Sequence, residues 1–182
     1  RVDDYKINLL RYKIFPNAVS QIAPTQLLGV DLADRLLTKA GFDIKDPKKI
    51  GVSVGAMHDD SFPELFMPML PDEYADSVRC CNSSKEIDSD VLDKCLAEAG
   101  EAVRAENSPV TEHTLPGWMT NVIAGRIANK LNLRGPNFTV DSACSSGLAS
   151  LIPATYQLMF GNVDYMVTGG LKTRAADFRP VP

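Results

Sequence analysis

Apolar and polar positions alternate along the chain with two different periods, and the switches between them mark the elements. Over residues 24–40, Leu27, Leu28, Val30, Leu32, Leu36 and Leu37 supply most of a helical stripe. Pro24 suits the first turn of that helix, and Gly41 is a natural stop. The run Ile50-Gly-Val-Ser-Val-Gly-Ala then reads as a short buried strand. Residues 57–85 lose all periodicity, and Pro63, Pro68 and Pro71 interrupt them. Met57, Phe62, Phe66, Met67, Met69 and Leu70 make this stretch a packed excursion rather than a free linker. A second helix is expected over residues 88–105, with Val91, Leu92, Cys95, Leu96, Ala99 and Val103 on one side, which makes Cys95 a core thiol.

Residues 106–117 read as a loop. A third helix is expected from Met119 to Leu131, with Val122, Ile123, Ile127 and Leu131 inward and Gly135-Pro136 ending it. Phe138–Val140 forms a strand, a helix of small residues starts around Cys144, and Asp164–Thr168 forms a further strand before Gly169-Gly170. Pro153 falls inside the helix after Cys144 and is expected to bend it. Strands alternating with helices predict an α/β fold with a mostly parallel sheet.

Composition narrows the function classes. The 182 residues are 45% hydrophobic with a net charge of −4, enough for one domain with its own core. Mild acidity argues against nucleic acid and against an anionic membrane surface. No apolar run approaches the roughly 20 residues of a membrane helix. The start, Arg-Val-Asp-Asp-Tyr-Lys, has neither an initiator Met nor a signal-type apolar stretch, as expected for a piece of a longer chain. The four cysteines form no CxxC pair, and two histidines are too few to complete zinc sites, so reduced thiols in the cytoplasm are expected. Cys80-Cys81 reads as two loop thiols. No phosphate-cradling glycine loop is present, so no nucleotide cofactor is expected.

The chemistry concentrates in Asn137-Phe-Thr-Val-Asp-Ser-Ala-Cys-Ser-Ser-Gly-Leu-Ala-Ser. A strand ends, the chain turns through small residues, and Cys144 stands where a helix begins. The thiolate is the nucleophilic form of cysteine. Unpaired first-turn amides and the helix dipole favour an anion there, and the same amides can face an oxyanion. Residues 137–142 should therefore run as a strand straight into a helix whose first turn holds Cys144. On this local pattern alone, a small buried cysteine at a strand-to-helix turn is an equally good reading.

The string Asp-Ser-Ala-Cys-Ser-Ser-Gly-Leu-Ala-Ser at 141–150 resembles the active-site motif of β-ketoacyl synthases, condensing enzymes of the thiolase fold. The helix and strand from Asn121 to Val140 and the segment Gly161-Asn-Val-Asp-Tyr-Met-Val-Thr-Gly-Gly look like the motif's flanks. Ile50–Ala56 fits the family's "GVxVG" strand, and Pro-Thr-Gln-Leu-Leu fits its "DPQQRLLLE" helix. The resemblance covers residues 14–171 and is closest in wording to ketosynthases of polyunsaturated fatty acid and polyketide synthases. It implies a thiolase-like layered α/β fold, with a mostly parallel mixed sheet, present here as the N-terminal half of the domain. It implies Cys144 as the acyl acceptor, with its N–H as an oxyanion donor. A malonyl-type extender would be the second substrate, and an acyl carrier protein would present substrates on phosphopantetheine, with no bound cofactor. It places Met119 and Thr120 near a loop that reaches the partner subunit's acyl tunnel, although helix N-terminal packing explains them as well. It also implies a homodimer or a complementing half.

The chain departs from that pattern. The family's first strand and the two histidines of its second half are missing, and neither His58 nor His113 is expected to replace them. A half domain would expose the face its other half covers. The tail from Leu171 to Pro182, with Arg174, Arg179 and Pro180, does not continue the pattern and reads as a solvated end. A non-catalytic module for dimerisation or docking, and a thiolase-like acyltransferase, are the alternative readings.

Overall fold

A computed structural model describes residues 7–42, 49–57, 67–81, 85–107 and 109–173. His58, residues 58–66 and 82–84 of the proline-rich excursion, and Arg174, Arg179 and Pro180 of the tail lie outside them.

Three strands form one sheet: β1 (Ile50–Ala56), β2 (Asn137–Val140) and β3 (Tyr165–Leu171), in the order β2-β1-β3. Both pairings are parallel, with Val54 opposite Thr139 on one side and Gly169 on the other. All three carboxyl ends therefore lie at the same edge. β1 is buried along its whole length, which suits its β-branched, uncharged run. Its side chains alternate between two layers. Ile50, Val52, Val54 and Ala56 join the main core with Leu27, Val30, Ala33 and Leu37 of α2 (Pro24–Lys39) and Ile123, Ala124 and Ile127 of the pre-β2 helix. Each fully buried aliphatic side chain contributes roughly 1.5–3 kcal/mol. Ser53 and Gly55 face the opposite way, toward the segment that follows Cys144, and Gly51 faces Met166 of β3.

The other helices are α1 (Pro16–Val19), α3 (Leu70–Arg79), α4 (Ser89–Glu106), α5 (Thr114–Trp118), α6 (Val122–Lys130), α7 (Ser146–Ala149) and α8 (Leu151–Met159). The helix expected at 24–40, the strand at 50–56 and the helix at 88–105 are found within a residue or two. Helices α2, α6 and α8 end in the same way. Gly41, Asn132 and Gly161 take positive φ, and the next residue's N–H reaches back five positions, as in Phe42 N–H to Leu37 O at 3.0 Å. Asn132, rather than Gly135-Pro136, thus stops α6.

Three expectations need correction. The excursion contains α3, preceded by a 3₁₀ turn at Met67–Met69. Pro71 does not break this helix, because it occupies the first turn, where no amide partner is needed. The loop before α6 contains α5. Cys95 is exposed, not a core thiol. Helix α4 meets α3 through Leu96, Gly100 and Val103, and a residue one step from Leu96 points away.

The N-terminal segment docks on α2 through charge. The Tyr12 hydroxyl lies 2.8 Å from Asp31 and 2.9 Å from Asp34, while Arg35 and Arg11 pair with these carboxylates at 2.7 and 2.6 Å. Burial, then the two carboxylate bonds, pushes the Tyr12 hydroxyl far above its ordinary range.

Candidate active site

Cys144 sits four residues beyond the carboxyl end of β2, the edge at which parallel α/β sheets bind ligands. Strand β2 ends at Val140, and Asp141-Ser142 link it to a 3₁₀ turn, Ala143–Ser145. The expected strand-into-helix path is present, but Cys144 lies in this turn, just ahead of α7, rather than in the first turn of an α-helix. Its side chain is exposed, not sealed in apolar packing. Cys80, Cys81 and Cys95 are exposed as well, so exposure does not single it out. The turn does.

Ala143 has φ of +52°, a left-handed conformation that non-glycine residues rarely adopt. Asp141 Oδ1 accepts from the Ala143 N–H at 3.0 Å. Ser146 Oγ accepts from the Ser142 N–H at 2.8 Å and donates to the Ala143 carbonyl at 2.7 Å. Ser145 Oγ donates to the Ser142 carbonyl at 2.7 Å. The Ser145 N–H returns to Ser142 O, and the Ser146 N–H to Ala143 O. These bonds leave the Cys144 N–H without a partner among the described residues, as an oxyanion donor requires.

The segment behind Cys144 is pressed onto the sheet. A Cβ at Gly55 would lie 2.1 Å from the Ser146 carbonyl oxygen, so only glycine lets β1 approach so closely. Ser53 Oγ donates to the Ser150 carbonyl at 2.6 Å, and Ser150 Oγ donates to Gly147 O at 2.8 Å. The helix breaks at Ser150 between α7 and α8. Pro153 has no N–H to offer the Ala149 carbonyl and falls in the first turn of α8, which accounts for the break.

Beyond the break, α8 is apolar nearly all round and largely uncovered. Ile152 is 60% exposed, Met159 75% and Phe160 74%. Among the described residues nothing covers this face, and such a helix is stable only when something does.

Met119 and Thr120 are half-buried in the link between α5 and α6. Gln26 of α2, 1% exposed, holds that link. Its Nε2 donates to the carbonyls of Pro116, Gly117 and Met119 at 3.0, 2.7 and 3.1 Å, and its Oε1 accepts from Arg126 Nε at 2.5 Å. Burial lowers the pKa of the Arg126 guanidinium from its ordinary value. The link meets β2 where Thr139 Oγ1 donates to the Asn121 carbonyl at 3.4 Å, five residues before Cys144. No hydrogen bond joins Met119 or Thr120 to Cys144 among the described residues. His113 precedes α5, with Glu112 3.7 Å away, and no bond joins it to Cys144. Sequence reasoning flagged the Pro-Thr-Gln-Leu-Leu string but missed the role of Gln26, and it treated Ser146 only as a small neighbour. No His, Cys, Asp and Glu cluster suited to a metal is found among the described residues. No helix among them is long and apolar enough to cross a membrane.

A family model described as "Beta-ketoacyl synthase, N-terminal domain" matches residues 8–178. The match is wider than the expected 14–171 and runs into the tail, which therefore continues the family pattern. Thr173 there is buried, with its hydroxyl 2.5 Å from that of Thr25. The 3-oxoacyl-[acyl-carrier-protein] synthase 2 of Vibrio harveyi is 34% identical over 77 residues, covering 41% of this chain and 19% of that protein. A polyunsaturated fatty acid synthase polypeptide from Thraustochytrium sp. is 45% identical over 60 residues, 33% of this chain and 2% of that protein. Ketosynthase twelve of the bacillaene polyketide synthase in Bacillus amyloliquefaciens shares the fold. Its TM-score is 0.64 at 20% identity, over 92% of this chain and 23% of that one. The matched part is less than a quarter of each relative.

Proposed function

The chain belongs to the β-ketoacyl synthase family, matching its N-terminal domain, and we propose that it carries the acyl-accepting nucleophile of a decarboxylative condensation, Cys144. The observation that carries this reading is an exposed thiol on a hydrogen-bonded turn at the carboxyl edge of a parallel sheet, with an amide on the same residue that has no partner among the described residues.

In the first step the Cys144 sulfur attacks the carbonyl carbon of an acyl thioester on the phosphopantetheine arm of an acyl carrier protein. The tetrahedral oxyanion meets the Cys144 N–H. The C–S bond to the carrier breaks, its thiolate takes a proton, and the acyl group remains on Cys144. In the second step a malonyl-type extender loses CO₂. Its carbanion attacks the Cys144 thioester, a C–C bond forms and the Cys144 thiolate leaves. Groups outside this chain's 182 residues assist decarboxylation, since the histidine contexts that serve it in the family are not in the sequence. Met119 and Thr120 contribute to the wall that measures the acyl chain, held by Gln26. The bare face of α8 is covered by a complementing half of the domain, in an assembly that is a homodimer acting in the cytoplasm.

Brief treatment with iodoacetamide, followed by peptide mass mapping, tests the nucleophile. Modification should be fastest at Cys144 and slower at Cys80, Cys81 and Cys95, which are exposed too. A Cys144 that reacts no faster than those three contradicts the proposal, and a docking module without catalysis becomes the better reading.

A further inference from the structure

We propose that Ser146 is the positioning residue for Cys144: its buried hydroxyl locks the left-handed turn that presents the sulfur. The inference rests on the reading of Cys144 as the nucleophile and adds a requirement to it. The Ser146 side chain is 5% exposed and makes two directed bonds, accepting from the Ser142 N–H and donating to the Ala143 carbonyl. Those two groups flank Ala143, whose φ of +52° has to be held by its surroundings. A relaxed Ala143 would redirect the chain at the next residue, which is Cys144. Ser145 also bonds within the turn, but it is exposed, so water can replace its hydroxyl. Water cannot reach Ser146, whose backbone is clamped against Gly55 of β1. The backbone clamp places the segment, and the hydroxyl sets the turn. Removing the hydroxyl should therefore change reactivity more than folding.

The test is single-turnover transfer of an acyl group from an acyl N-acetylcysteamine thioester to Cys144, followed by intact mass, in the full protein. In Ser146→Ala the saturating rate should fall on the order of tenfold or more, because small misplacements of reacting groups are costly. The half-saturating thioester concentration should stay within about twofold, since binding is not altered. Ser146→Thr, which keeps the hydroxyl, should recover most of the rate. An unchanged thermal unfolding midpoint reports an intact fold. A Ser146→Ala rate equal to wild type, or the same loss in Ser146→Thr, overturns the proposal. A wild-type protein that never acylates Cys144 instead removes the nucleophile on which the inference depends. Hydrogen exchange in the wild type gives a check that needs no variant. The Ser142 amide should be strongly protected, and rapid exchange there overturns the proposed lock.

Discussion

Replacing Gly55 with alanine tests the packing that holds the Cys144 turn against the sheet. The added Cβ would sit 2.1 Å from the Ser146 carbonyl oxygen and 2.6 Å from the Gly147 nitrogen. Real Cβ contacts stop near 3.0 Å, so the two backbones must separate by about 0.9 Å or more. No side chain can swing aside, because both obstacles are backbone. Overpacking of this kind destabilises by about 1–3 kcal/mol, and rigid obstacles point to the upper end. Alanine in a strand recovers about 0.5–1 kcal/mol of the glycine's backbone entropy. The net loss is then about 2 kcal/mol, and thermal unfolding should begin about 4–8 °C lower for a chain of this size. The larger effect should be chemical, because the shift falls on the segment that carries Cys144. Acylation should slow on the order of a hundredfold. Gly169→Ala is the control: nothing lies within 4 Å of its added Cβ, so neither property should fall. Differential scanning calorimetry and the acylation rate are the assays. A Gly55→Ala protein with wild-type melting and wild-type acylation would refute the packing argument.

Two further substitutions probe the buried polar clusters. Tyr12→Phe removes the hydroxyl between Asp31 and Asp34 and should lower stability by about 1–3 kcal/mol in urea unfolding at neutral pH. Tyr12 also gives a pH signature. Its folded pKa is raised, so above about pH 10 the unfolded chain loses this proton first and wild-type stability falls as pH rises. The gap between wild type and Tyr12→Phe should accordingly narrow above about pH 10, and a gap constant from pH 8 to 11 would contradict the assignment. Gln26→Leu removes one of two donors from each of the Pro116, Gly117 and Met119 carbonyls, which keep Arg126 Nη2 and the Ala23 and Val122 N–H groups, and it leaves Arg126 Nε without its acceptor. A loss of about 2–4 kcal/mol is expected, with faster hydrogen exchange at residues 117–121. Unchanged exchange there would show that Gln26 does not hold the link.

The elements set by local periodicity were legible in the sequence. Helices α2, α4 and α6 and strand β1 follow from their apolar spacing, and Gly41 marked its helix end correctly. Proline chemistry was only half legible. Pro153 falls three residues after a break in the helix at Ser150, whereas Pro68 and Pro71 read as breakers and instead open the first turns of a 3₁₀ helix and of α3. Composition does not tell a proline that interrupts a helix from one that starts it. Cys95 lay within an apolar pattern wide enough to cover two faces, and only the partner helix decides which face is used. At the candidate site, the cysteine and its strand-to-helix setting could be read from the motif. The serines could not. A hydroxyl's value depends on which backbone groups the fold leaves unpaired beside it, and Ser53, Ser146 and Ser150 find theirs across 3 to 97 residues of chain. The Tyr12, Asp31 and Asp34 cluster was invisible for the same reason.

The central claim is that the Cys144 sulfur takes an acyl group from a carrier thioester. It is tested most directly by incubating the protein with an acylated carrier protein, trapping the product in acid and mapping the added mass by peptide sequencing. A single acyl group on Cys144, lost in Cys144→Ala and insensitive to replacement of Cys80, Cys81 and Cys95, is the expected result. An acyl group carried on another residue, or the same acylation in Cys144→Ala, would contradict it.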